Sequence, residues 1–260
     1  MRGNAVERCP GPSRGTMCPM DPFPVIIKLG DTLPELAAQK GDFEDWILRG
    51  MGLTRSQVRI VDPTRGEALP APGTIAGAVL TGSHAMVTDH VPWSERTASW
   101  LRDIVAVRVP VLGICYGHQL LAYALGGEVG PNPHGSEMGT VEAWLTEAGQ
   151  ADSLLGDLED TIHVHASHAQ TVLRLPKGAT LLATSAMDRA LAFALDGSVW
   201  GVQFHPEFDA EIGRAYIRAE AETLAAGGQD PERLITACVD APAGTAILAR
   251  FARLVQTRQP

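Results

Sequence analysis

Positive charge is scarce in this chain. Lys and Arg number 21 against 30 Asp and Glu, a formal net charge of −9. General affinity for nucleic acid or for an anionic membrane needs the opposite balance, so neither partner is expected. Cysteine is scarcer still: Cys9, Cys18, Cys115 and Cys238 make up the set, and no two form a CxxC pair. Neither a zinc ribbon nor a disulfide framework is expected, and the expected compartment is a reducing cytoplasm. No apolar run approaches the length of a membrane span. Residues 1–22, MRGNAVERCPGPSRGTMCPMDP, lack the apolar stretch of a signal peptide. They read as a flexible Pro/Gly-rich leader, dispensable for folding and activity, with Met17 or Met20 as alternative starts. No GxxxxGK[ST] motif is present, nor any other Gly-rich loop opening a helix with a lysine, so no phosphate cradle for ATP is expected.

What remains is ordinary in bulk and patterned in detail. At 260 residues, 45% hydrophobic and 20% charged, the chain can bury a large core as one domain, here taken as 23–260. Short Val/Ile-rich runs alternate with amphipathic stretches. Pro24–Gly30, Ser56–Pro63, Gly77–Ser83 and Val109–Cys115 read as strands. The stretch LPELAAQKGDFEDWILRGMG reads as helical, and so does Ser94–Val107, with Ala98, Leu101, Ile104 and Val105 on one face. Strand and helix in alternation imply an α/β fold, an open and mostly parallel sheet with helices on both faces. GTVEAWLT, DTIHVHASH, TVLRLP, ATLLATS, RALAFAL and SVWGVQFH then read as strands separated by short turns, a smaller antiparallel or mixed region. From Asp209 the pattern is helical again, a C-terminal extension over about 209–260.

The sharpest feature is Gly113-Ile114-Cys115-Tyr116-Gly117, where a strand gives way at once to a helix. A strand that turns so sharply strains its apex residue, and glycines two places to either side let the neighbouring backbone pack without collision. The positive end of the following helix favours a thiolate at Cys115. The Tyr116 N–H, in the first helical turn, points where an oxyanion would form. A lone cysteine is otherwise a small buried hydrophobe; this setting favours the nucleophile. Such a nucleophile needs a base, and VWGVQFHPEF supplies one. Pro206 biases His205 to extended geometry, so His205 and Glu207 project to the same side and the carboxylate can orient the imidazole.

Gly113–Gln119 together with Phe204-His205-Pro206-Glu207 resembles the class I, triad-type glutamine amidotransferase family, most nearly stand-alone members similar to the amidotransferase domain of GMP synthase. The resemblance covers about Phe23 to Phe208. It implies a flavodoxin-like sheet and a Cys115–His205–Glu207 triad without a cofactor. It also implies an oxyanion loop at Thr81-Gly82-Ser83, where the Gly82 N–H joins that of Tyr116. Gln119 matches a position that contacts the glutamine substrate. Ser167-His168 matches a loop that holds the substrate's amino-acid end, but here Ala169-Gln170 follows where relatives often carry Gly-Asp, so an expected carboxylate is missing.

Other residues have plainer readings. His163 and His165 share a strand face, yet no further ligand stands nearby in sequence, so no metal site is expected. His84 and His118 are taken as packing or exposed, Trp93 and Trp100 as core, and Gly135-Ser136-Glu137 as a turn. The implied activity is hydrolysis of a γ-glutamyl amide to glutamate and ammonia. The substrate is a small molecule, glutamine or another γ-glutamyl compound. The expected fold leaves no room for a synthetase domain, so ammonia is expected to pass to a separate chain, such as a synthetase subunit, or to water. Two alternatives stay open: a free-standing γ-glutamyl peptidase or hydrolase, and a non-catalytic regulatory module on the same fold.

Overall fold

The computed structural model describes residues 22–257; the leader apart from Pro22 lies outside the described residues. In chain order the first half runs β1 (Phe23–Ile27), α1 (Pro34–Lys40), α2 (Phe43–Met51), β2 (Arg59–Val61), β3 (Ile75–Leu80), α3 (Pro92–Ala106), β4 (Val111–Ile114) and α4 (Tyr116–Ala124). Then come β5 (Glu128–Pro131), β6 (Glu137–Leu145), the short α5 (Glu147–Gln150), β7 (Thr161–His168), β8 (Gln170–Arg174), β9 (Thr180–Thr184), β10 (Ala192–Leu195) and β11 (Val199–Val202). The last helices are α6 (Ala210–Ala219), α7 (Ala221–Ala226), α8 (Pro231–Ala237) and α9 (Pro242–Thr257).

The large sheet has the order β2-β1-β3-β4-β11-β10-β9-β6-β7. From β2 to β11 every pairing is parallel, and this half follows the flavodoxin-like order with β11 in fifth place. From β11 to β7 the pairings are antiparallel. β8 leaves this sheet to pair with β5 in a separate two-stranded ribbon. β5 is absent from the sequence reading because EVGP offers neither alternation nor β-branched density, and β8 supplies its partner only in three dimensions.

The parallel strands read as continuous apolar runs because both of their faces are covered. Ile26 packs into one core with Leu112, Trp200 and Phe251, whereas its neighbours Val25 and Ile27 pack into the other with α3 and α4. The helix expected across LPELAAQKGDFEDWILRGMG is two helices. Gly41, at φ 84°, breaks it, and Asp42 with Asp45 then forms a capping box on α2. β2 is shorter than expected because Asp62 turns to cap the 3-10 turn that follows it.

The C-terminal helices pack into the body of the protein. Ile247, Leu248, Phe251, Ala252 and Val255 of α9 form a buried stripe at helical spacing. A Cβ at Gly50 of α2 would lie 2.4 Å from Leu248, and one at Gly77 of β3 would lie 2.4 Å from Val255, so glycine permits this close approach. Among the described residues no single helix is long and apolar enough to cross a membrane; α8 and α9 pass that test only as a pair bent by 64°. Phe251 is fully buried, edge-on to Trp200 at 6.2 Å. Phe251→Ala is therefore expected to cost about 3–5 kcal/mol in chemical denaturation. A loss below about 1 kcal/mol would show that α9 is peripheral.

Candidate active site

β4 ends at Ile114, and Cys115 adopts φ 49°, ψ −102° before α4 begins at Tyr116. That is a strained backbone for a residue with a Cβ. The flanking glycines are needed: a Cβ on Gly113 would lie 2.5 Å from the Gly117 carbonyl oxygen, and one on Gly117 2.7 Å from the Leu80 carbonyl oxygen. The turn is tied on both sides, with the Cys115 N–H donating to Val202 O at 2.9 Å and the Gly117 N–H to Thr81 O at 3.2 Å. The N–H groups of Gly82 and Tyr116 take no part in these backbone bonds. That of Tyr116, first in its helix, has no intrahelical acceptor.

His205 follows β11, the strand beside β4, and its N–H donates to His165 O at 2.7 Å. Its Nδ1 lies 2.7 Å from Glu207 Oε1, the pairing expected from HPE. Phe208 stacks on the imidazole at a centroid distance of 4.0 Å, and Phe43 lies near-parallel at 6.0 Å. A Cβ at Gly82 would lie 2.8 Å from His205 Cε1, so the loop after β3 also presses on the ring. Burial opposes a charge on His205, but the Glu207 carboxylate and the contact with Cys115 outweigh it and raise the pKa to about 10. The ring is thus set to carry a proton at neutral pH.

Cys115 is nearly buried and opens onto a cavity of about 250 Å³, walled by the loop after β3, the end of β7 and the α6–α7 junction. Its thiol faces the Ser167 carbonyl oxygen at 3.6 Å. Tyr116, Gln119, Ser167 and His168 all line this cavity, but not all are free. Gln119 Nε2 donates to Gln170 O at 2.8 Å and to Gln203 Oε1 at 3.0 Å, so only its carbonyl oxygen is left for a ligand. His168 Nδ1 bonds Gln170 O and Nε2 bonds Glu137 Oε2, each at 3.0 Å. Its ring nitrogens therefore shape the loop instead of facing the cavity.

Sequence reasoning missed what anchors His168. Glu137, read there as part of a turn, opens β6 and is buried; its other oxygen accepts from Ser185 Oγ at 2.6 Å. Asp188 accepts from Thr171 Oγ1 at 2.8 Å and from the Ala190 N–H at 2.7 Å. Burial raises the Asp188 pKa, with His168 pulling it back. These side chains share no sequence neighbourhood, so no local pattern could have joined them. Glu137, His168 and Asp188 are close enough to hold a cation, but the bonds just described already occupy them. His163 and His165 do not form a ligand pair: His163 is exposed, while His165 is buried beside Cys238, 4.0 Å from its sulfur, and burial lowers its pKa to about 4. His118 is wholly buried against Phe193, and Trp100 is core, donating to Pro70 O at 2.7 Å.

A flavodoxin-like sheet with a cysteine elbow at one strand end and a histidine–glutamate pair beside it defines an amidotransferase-like class of protein. The class-I glutamine amidotransferase family model matches residues 40–222, and the chain belongs to that family. It is 42% identical over 142 residues to a glutamine-hydrolysing GMP synthase of Aeropyrum pernix, covering 55% of this chain and 25% of that protein. It is 33% identical over 148 residues to one subunit of the glutamine-hydrolysing GMP synthase of Halobacterium salinarum, covering 56% of this chain and 74% of the relative. This chain thus spans about a quarter of the first relative and three quarters of the second. A glutamine amidotransferase structure from Methylobacillus flagellatus superposes with a TM-score of 0.70 at 29% identity, covering 92% of this chain and 94% of that one.

Two measurements test this geometry. Iodoacetamide at neutral pH is expected to label Cys115 well before Cys238, which is fully buried and whose thiol donates to Ala210 O at 3.5 Å; equal rates would refute the comparison. Glu137→Ala strands His168 and Ser185 and is expected to cost about 3–5 kcal/mol in denaturant melts. A near-neutral effect would show that the network is dispensable.

Proposed function

We propose that this chain hydrolyses a γ-glutamyl amide through a cysteine thioester. The observation that carries this reading is the strained Cys115 on the cavity wall with the buried His205–Glu207 pair just past the end of the adjacent strand, in a chain of this family. Cys115 Sγ attacks the amide carbon, and the developing oxyanion meets the Gly82 and Tyr116 N–H groups. His205, held by Glu207 and by the stacked Phe208, gives its proton to the leaving nitrogen as the C–N bond breaks. It then takes a proton from water, which cleaves the thioester to the free acid and restores the thiol. Gln119 Oε1, Ser167 and the loop that His168 holds contact the substrate. The steps need no redox or electrophilic cofactor.

Residues 23–260 are taken as one amidotransferase unit, an assignment supported by the packing of α9 against α2 and β3. The relatives named as GMP synthase, whole or as one subunit, support the idea that the ammonia passes to a separate synthetase subunit. A thiol nucleophile that must stay reduced fits a cytoplasmic setting. A free-standing γ-glutamyl hydrolase uses the same steps with an amine as leaving group. Turnover of glutamine against γ-glutamyl amines and peptides separates the two.

Cys115→Ala is expected to abolish amide hydrolysis while the fold is retained. Glu207→Gln should lower kcat by about 10²–10⁴ yet stay above Cys115→Ala, because thiol and oxyanion donors remain. Steady-state ammonia release measures both, and undiminished turnover in either variant would refute the assignment.

A further inference from the structure

Among the described residues one carboxylate, that of Glu220, lines the cavity beside Cys115, and no Lys or Arg does. Glu220 sits where α6 ends and α7 begins, and Tyr216, Thr223 and Leu224, one helical turn to either side, line the same cavity. Among the described residues its carboxylate accepts no hydrogen bond and makes no ion pair. His84, an ionisable neighbour, stacks on Tyr216 at 5.9 Å; loss of water on that side lowers the His84 pKa, although Glu220 pulls the other way.

The other acids near the cavity are already committed. Glu137 holds His168 and Ser185, and Asp188 holds Thr171 and the Ala190 N–H. The loop that follows His168 carries no acid: Ala169 is apolar and Gln170 spends its Nε2 on Thr88 Oγ1 at 2.7 Å. Among the described residues Glu220 supplies the one carboxylate on the wall for an ammonium group entering this cavity.

We propose that Glu220 is the ammonium-binding residue of the site, and that the chain selects γ-glutamyl compounds that present an alkylammonium group to the α6–α7 wall. The proposal rests on the reading that Cys115 attacks a γ-glutamyl amide. A cavity wall with one carboxylate and no Lys or Arg among the described residues ranks such substrates by charge. γ-Glutamyl diamines, net positive, rank first; zwitterionic glutamine follows; γ-glutamyl peptides, which add a second carboxylate, rank last. Met86, Met138 and Leu224 add apolar wall along which a methylene chain can lie.

The ammonium has two sources, the α-amino group or a distal amine on the leaving group, and steady-state kinetics of the full chain distinguish them. Glu220→Gln is compared with wild type on glutamine, on 4-carbamoylbutanoate (glutamine without its α-amino group), on γ-glutamyl-1,4-diaminobutane and on γ-glutamylbutylamine. If Glu220 binds the α-ammonium, KM rises about tenfold for every substrate except 4-carbamoylbutanoate, with kcat within about twofold. If it binds the distal ammonium, the rise is confined to the diaminobutane compound. Either selective pattern, with Glu220→Asp closer to wild type, supports the assignment. A uniform rise or none, in an active enzyme with an unchanged Tm, overturns the assignment alone. A wild-type chain inactive on all four compounds overturns the parent reading and this one with it.

Discussion

The site depends on one backbone constraint: Cys115 must sit in a conformation that strands and helices both avoid. A turn from β4 into α4 through a single residue leaves the apex at φ 49° and brings Gly113 and Gly117 against neighbouring main chain. The strain is held because both ends of the turn are hydrogen-bonded to adjacent elements, Val202 in β11 and Thr81 after β3. The same two partners lead directly to the other components, since His205 follows β11 and Gly82 follows Thr81. One strained residue therefore fixes the relative positions of thiol, imidazole and backbone donors.

Around that centre the polar groups fall into two kinds. His168, Glu137, Asp188, Ser185 and Thr171 bond almost wholly to one another or to main chain, in a buried network that holds the end of β7 against the start of β6. Breaking one member exposes the rest to an unpaired burial, which makes the network stiff. Glu220 is the opposite case, a carboxylate on a cavity wall with no such bond to hold it among the described residues. The first kind sets the shape of the loop, whereas the second is free to answer to a ligand's charge.

How much was legible before the structure follows from what kind of information each feature needs. The elbow and HPE were readable because glycine spacing and an X-Pro dipeptide are local backbone statements. The parallel half of the sheet was readable because strands buried on both faces become unbroken apolar runs, as in Val25–Ile27. Gly41 was the point at which local reading failed, since helical periodicity on both sides concealed a left-handed break. The histidines of HVHASH were read as a strand with no metal site, but their separate surroundings were not legible. β7 lies at a sheet edge, so His163 and His165, on one face by period, meet solvent and protein respectively.

The sequence by itself determined the strand–helix alternation, the turn at Cys115 and the juxtaposition of His205 with Glu207, because each depends on residues within a few positions of one another. Only the tertiary structure decided that β5 pairs with β8, that Glu137 and Asp188 close on His168, and that the C-terminal helices supply a cavity wall ending in Glu220. Those contacts join segments far apart in the chain. Which distant carboxylate faces a given imidazole or cavity is set by how whole layers pack, and local residue order carries no record of that.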